Sequence, residues 1–258
     1  MADAGDASLP VFGFLSRHRQ PLADGMAQEA EWLARAADSG RAVAHLWRGS
    51  SGLVVPRSHE REAGFANACA QAALHGWPVQ VRASGGGLVP QGPGVLNLSL
   101  VWRTAQAQPH GTDAVYRGMC AGLAAAFARL GIAAHAAEVP GSFCDGRFNL
   151  AVAGPEGPTK LVGTAQAWRR VNGQPTVLAH ALMLVRADPV ALTQACNAFE
   201  AALGSGRRYR EAAVTSVAQA WTQAHGGATP PTDLDERLEQ ALAEEFAHIV
   251  PPRDLLAA

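Results

Sequence analysis

Apolar residues recur at helical spacing through residues 24–39, 60–75 and 112–130, and the stretches stop at Gly40, Gly76 and Gly131. A period of three to four predicts three amphipathic helices, each ended by a residue that adopts the left-handed conformation without a steric cost. Asp24 stands where a carboxylate would cap the first of them. A fourth helix opens at Asp188-Pro189, a cap followed by proline at the first helical position, and closes at Gly204. Two more are predicted over residues 214–225 and 232–248, after a linker-like segment at 226–231 in the case of the last. Runs of apolar and β-branched residues predict strands at 42–47, 53–55, 79–82, 95–102, 133–139, 148–153, 161–170 and 176–185. The expected architecture is α/β (α+β), a mixed sheet with packed helices. Residues 1–190 are read as the catalytic domain, and residues 191–258 as a helical C-terminal extension packed on it.

With 258 residues, 48% of them apolar, the chain can bury one sizeable core. A formal net charge of −1 and a pI of about 6.8 give no reason to expect a nucleic-acid or anionic-membrane surface. No apolar run approaches the roughly 20 residues that a membrane span needs. The amino terminus carries Asp3 and Asp6 where a signal peptide would be basic, so a cytoplasmic location is expected. The four cysteines, Cys69, Cys120, Cys144 and Cys196, form no C-x-x-C pair, so neither a zinc site nor a redox pair is expected.

Candidate chemistry gathers in four places. Gly85, Gly86 and Gly87 lie consecutively between two predicted strands. Without Cβ atoms this loop can take positive φ and let backbone approach a ligand, or it can simply be a flexible hairpin. It has no lysine and runs into a strand, whereas a P-loop needs Gly-Lys-Ser/Thr opening a helix. Cys144 lies in the glycine-flanked loop Pro140-Gly-Ser-Phe-Cys-Asp-Gly-Arg147, where an accessible thiolate could sit. The other three cysteines fall in alanine-rich helical patterns and read as small core residues. Lys160 opens an apolar strand and is either an edge charge or a functional cation. His180, inside a strand, is either a core residue held by a hydrogen bond or a functional one.

Taken together, three segments resemble the lipoate–protein ligase and octanoyltransferase superfamily, which shares its catalytic fold with biotin protein ligase. They are Arg82-Ala-Ser-Gly-Gly-Gly87 with Gly94-Val-Leu-Asn-Leu-Ser99, then Lys160-Leu-Val-Gly-Thr-Ala-Gln166, then His180-Ala-Leu-Met-Leu184. The resemblance covers about residues 20–190. The segment around Cys144 is most similar to the cysteine-dependent branch, which contains octanoyltransferases and amidotransferases.

Several expectations follow from that resemblance. It implies Cys144 as the acyl-accepting nucleophile and Lys160 as its cationic partner. It implies substrate binding by Arg82, Ser84, Gly85, Gly86, Gly87, Asn97, Gly163, Thr164, Ala165, Gln166 and His180. The donor would be acyl carrier protein or the glycine-cleavage H protein, and lipoyl-domain proteins would be the acceptors. No cofactor is required, with ATP needed only if the chain is instead an ATP-dependent lipoate–protein ligase. A catalytically silent acyl-binding homologue is the third possibility. Two positions depart from the family pattern. Pro90-Gln91-Gly92 stands where ligases usually carry His-Asp, and Asn149 stands where an acid is usual.

Overall fold

The computed structural model describes residues 12–82, 85–104 and 112–249. Among these residues the chain forms a seven-stranded sheet, a three-stranded sheet and six α-helices. The large sheet contains β1 (Gly13–Arg17), β2 (Val43–Trp47), β6 (Val95–Arg103), β7 (His135–Ala137), β8 (Asn149–Gly154), β9 (Gly157–Val171) and β10 (Gln174–Leu184). Its spatial order is β1-β2-β6-β10-β9-β8-β7. In the small sheet, β3 (Gly52–Pro56) lies between β4 (Val79–Arg82) and β5 (Val89–Gln91).

Local chemistry explains most of the boundaries. α1 (Gly25–Ser39) begins where Asp24 accepts from the backbone N–H groups of Met26 and Ala27, at 3.1 and 2.9 Å. α4 (Pro189–Leu203) begins with Asp188 accepting from Val190 N–H at 2.9 Å, and Gly204 ends it in the left-handed region. β9 and β10 form a long antiparallel hairpin joined by Asn172 and Gly173, both at positive φ, the combination a two-residue turn between twisted strands demands.

The two faces of β6 and β10 do different work. Leu96, Leu98, Leu100 and Trp102, with Val177, Ala179, Ala181 and Met183, pack against α3 (Thr112–Arg129) and α6 (Leu234–Ala247) in the main core. The alternate residues point the other way. There Val101 and Leu178 pack under Trp32, Leu33 and Ala36 of α1. Leu182 and Leu184 meet the small sheet, α2 (Phe65–Leu74) and α4. Asn97, Ser99 and His180 share this second face, with His180 directly opposite Ser99.

Four expectations are corrected. β1, pairing parallel with β2, was not foreseen. The helix expected over residues 60–75 is a 3₁₀ turn, Arg57–Arg61, followed by the shorter α2. Its start at Gly64 is set by packing, since a Cβ there would stand 2.4 Å from the Leu203 carbonyl oxygen. The glycine-rich segment is not all loop, because β5 within it pairs antiparallel with β3. The helix expected from residue 214 begins at α5 (Val217–Ala224), where Ser216 and Gln219 form a reciprocal capping box.

No helix among the described residues is long and apolar enough to cross a membrane. Phe246 of α6 is fully buried, with a ring carbon 2.9 Å from where a Cβ on Gly122 of α3 would lie. Phe246→Ala should therefore lower the unfolding free energy by about 3–5 kcal/mol in urea titrations, the usual cost of emptying a phenyl-sized site. A loss under about 1 kcal/mol would show that α6 only rests on the surface.

Candidate active site

Cys144 lies in the loop between β7 and β8 at φ 52°, a left-handed backbone that non-glycine residues rarely adopt. Such strain persists only where the surroundings hold it, and here three groups do. Lys160 of β9 donates from Nζ to the carbonyls of Phe143 at 2.6 Å and Cys144 at 2.7 Å. Asn149, the first residue of β8, donates from Nδ2 to the same Cys144 carbonyl at 3.0 Å. The glycine loop closes the third side. Gly87 N–H donates to Cys144 Sγ at 3.4 Å, and Arg82 Nη2 donates to the Gly87 carbonyl at 2.6 Å.

The glycines are required by this approach. Gly86 sits at φ 106°, and a Cβ on it would fall 2.8 Å from Arg82 Nη2 and 3.2 Å from Cys144 Sγ. A Cβ on Gly87 would fall 3.1 Å from Cys144 Cα. Between a flexible hairpin and close backbone approach, the structure has the second, with the Cys144 loop as the partner approached. Cys120 and Cys196 are buried in helices, Cys69 is half-buried in α2, and burial pushes all three thiols up from their ordinary pKa.

Lys160 is not an edge charge. It is 2% exposed, with Ala151 of β8 on one side and the Val214 bridge on the other. Its amine donates to the two loop carbonyls rather than to the thiol, so its first effect is to hold the backbone that carries Cys144. Desolvation lowers its pKa to about 8, against the opposing pull of Cys144 and Asp145, while Arg82 lowers it further. Gly163 leaves room for this side chain, since a Cβ there would lie 3.2 Å from Lys160 Cε.

A cleft of about 710 Å³ opens beside Cys144. Gly85, Gly86, Gly87, Thr164, Ala165 and Gln166 line it, as do Tyr116, Arg207, Arg208 and Tyr209, which the sequence reading missed. Ser84 lies outside the described residues. Behind the cleft, sharing Ala165 and Gln166 with it, is a smaller pocket of about 40 Å³ walled by Met26, Val54, Val89 and Leu178 and reached by Arg82.

That rear pocket ends on a polar network. His180 Nδ1 lies 2.7 Å from Glu29 Oε1, and its Nε2 lies 3.2 Å from Asn97 Oδ1. Ser99 donates to Glu29 at 2.7 Å and accepts from Trp47 Nε1 at 2.9 Å. Asn97 and Gln91 exchange two amide hydrogen bonds of 2.9 Å. Burial pushes the Glu29 carboxyl up, but His180, Ser99 and Arg82 together hold it below its ordinary value. Asn97 and His180 were expected near the site; Glu29, Trp47 and Gln91 were not. Glu29 had a signal, a carboxylate three and four residues before Trp32 and Leu33, on the buried face of α1. Among the described residues no group of three or more His, Cys, Asp or Glu is placed to hold a metal.

The family model for the lipoyl protein ligase A/B catalytic domain matches residues 22–246. An uncharacterized protein of Cupriavidus necator is 43% identical over 240 residues, 90% of this chain and 93% of that protein. The octanoyl-[GcvH]:protein N-octanoyltransferase of Kyrpidia tusciae is 34% identical over 189 residues, 71% of this chain and 64% of that enzyme. In fold, the chain is similar to a T. acidophilum protein assigned to the lipoate protein ligases and solved with lipoic acid bound. The TM-score is 0.61 at 18% identity, covering 92% of this chain and 86% of that one. Lipoate-protein ligase A bound with ATP superposes with a TM-score of 0.56 at 16% identity, covering 93% and 97%.

The buried ammonium makes a pH prediction. The folded-state pKa of Lys160 stands at about 8 against an ordinary 10.5, so the folded protein releases this proton before the unfolded chain does. Stability that depends on Lys160 must then rise as pH increases from about 8 to about 10.5. Measured by urea unfolding, wild type should gain on Lys160→Met by a few kcal/mol across that window. A difference that is flat or falls with pH would contradict a desolvated Lys160.

Proposed function

This chain belongs to the lipoyl protein ligase A/B catalytic domain family, and we propose that it is a cysteine-dependent acyltransferase. In this reading it moves an octanoyl or lipoyl group through a Cys144 thioester onto a lysine of a lipoyl-domain protein. The observation that carries it is the placement of Cys144. A thiol on a left-handed backbone opens into the cleft, accepts the Gly87 N–H, and has its own carbonyl gripped by Lys160 and Asn149.

The chemistry follows from those contacts. The thiolate attacks the acyl carbonyl of the donor, forming the C–S bond to Cys144. The donor's C–S bond, or its C–N bond if the donor is an acyl-lysine, then breaks, and the leaving thiol or amine takes up a proton. The ε-amine of the acceptor lysine attacks the Cys144 thioester, giving the amide and returning the thiol. Gly87 N–H, which donates to Sγ, keeps the sulfur positioned at the cleft for this attack. Because Lys160 and Asn149 hold the Cys144 backbone beforehand, little reorganisation accompanies attack. The acyl chain would lie past Ala165 and Gln166 into the rear pocket, between Met26, Val54, Val89 and Leu178.

The Kyrpidia tusciae relative supports an octanoyl donor of the H-protein kind, and an octanoyl carrier protein is the other candidate. The group arrives as a thioester or amide, so this route uses no ATP and no other cofactor. Lipoyl-domain proteins are the acceptors.

Intact-mass measurement after incubation with an octanoyl donor tests this directly. Wild type should gain one octanoyl mass on the Cys144 peptide without ATP. Cys144→Ala should gain none, while Cys69→Ala, Cys120→Ala and Cys196→Ala should label like wild type. Transfer by Cys144→Ala, or transfer that appears only with ATP, would replace this mechanism with an adenylating ligase.

A further inference from the structure

The segment from Ser205 to Arg210, between α4 and the 3₁₀ turn Glu211–Ala213, crosses the mouth of the Cys144 cleft. It is tied down along its length. Tyr209 donates from its hydroxyl to Glu200 Oε1 at 2.7 Å and from its N–H to Asn197 Oδ1 at 2.7 Å. Asn197 donates back to the Tyr209 carbonyl at 2.9 Å. Glu200 is fully buried and also accepts from Ser205 Oγ. At the far end Arg210 donates to the carbonyls of Gly141, at 2.7 Å, and Pro140, at 2.9 Å, on the nucleophile's own loop.

Two arginines are left over. Arg207 and Arg208 are exposed and line the cleft, and among the described residues neither has a carboxylate partner. Arginines elsewhere do: Arg129 pairs with Glu244 and Glu245, Arg186 with Asp235, and Arg237 with Asp233. The one acid lining the cleft is Asp145, next to the nucleophile, so the two arginines exceed it in charge. Guanidinium groups on a pinned loop are suited to a phosphate or carboxylate, which they meet in a planar fork with little ordering cost. The shape of the cleft narrows the choice. At about 710 Å³ it has the size and concavity of a site for a small molecule, and the acidic face of a folded protein would not enter it.

We propose that Arg207 and Arg208 bind the phosphate of a pantetheine-type arm, whose terminal thioester presents the acyl group to Cys144. The identity of the arm rests on the acyl-transfer reading above; the anion site itself rests on the loop. Acyl-coenzyme A and an acyl carrier protein share this phosphate, and the two sources separate in the experiment below.

Calorimetry with 4′-phosphopantetheine and with pantetheine isolates the phosphate, because it needs no turnover. The phosphorylated ligand should bind wild type about tenfold more tightly, as expected for at least one charge-assisted hydrogen bond. Arg207→Ala/Arg208→Ala should bind the two ligands alike, and Arg207→Lys/Arg208→Lys should keep part of the difference. Circular dichroism of each variant checks that the loop change has not unfolded the chain. Equal binding of both ligands by wild type, or an unchanged preference in the double alanine variant, would overturn the proposal. If Cys144 fails to acylate while the phosphate preference persists, the thioester mechanism falls and the anion site stands.

Steady-state transfer then identifies the source. KM for octanoyl-coenzyme A and for octanoyl carrier protein should each rise about tenfold in the double alanine variant, and the lower wild-type KM marks the better donor. An equal rise with octanoyl-H protein, whose acyl-lysine has no phosphate, would show that the loop reads protein acidity and would overturn the proposal.

Discussion

The hydrogen bonds from the buried amine of Lys160 to the carbonyls of Phe143 and Cys144 organise everything around them. An ammonium almost wholly removed from water is costly unless its protons find acceptors, and here two loop carbonyls take two of the three. The loop gains a fixed anchor in return, which lets Cys144 keep a backbone conformation that a free chain would abandon. Asn149 reinforces the same carbonyl from the neighbouring strand. A carboxylate at that position would bring no N–H to donate to the carbonyl.

A second constraint comes from the parity of the central strands. β6 and β10 send their large apolar residues to α3 and α6, leaving Asn97, Ser99 and His180 on the face beneath α1. Polar groups there need partners, and α1 supplies Glu29 while β2 supplies Trp47. The resulting network ties α1 to the sheet and forms the polar end of the rear pocket. Gly25 at the start of α1 packs so closely on Trp47 that a Cβ there would overlap the indole ring. The roof of the pocket and its floor are therefore set together.

The C-terminal elements reach the site as well. Thr215 N–H donates to the Lys160 carbonyl at 2.9 Å, so the chain after α4 covers the strand position next to the key amine. Through Glu200 and Asn197, α4 places Tyr209, whose ring meets Phe143 edge-on at 6.4 Å. The Cys144 loop is thus held from β9 below, from the glycine loop on one side and from the α4–Tyr209 segment on the other.

From the sequence alone, the elements set by local chemistry were legible. Asp24, Asp188 and Gly204 announce helix ends because capping involves only neighbouring residues. The glycine run, the Cys144 loop, Lys160 with Gly163 to Gln166, and His180 were legible as motifs because their residue types and order carry the family resemblance. Their relations to one another were not. That Lys160 would hold the carbonyls of Cys144, that Gly87 would donate to its thiol, and that Glu29 would reach His180 across 151 positions all depend on long-range contacts with no local signature. Arg207 and Arg208 carry no motif of their own, and the pinning of Tyr209 by the buried Glu200 holds their segment at the cleft. Local steric and capping preferences write themselves along the chain. Burial, which decides whether a lysine is an edge charge or a desolvated anchor, exists only once distant segments have closed over it.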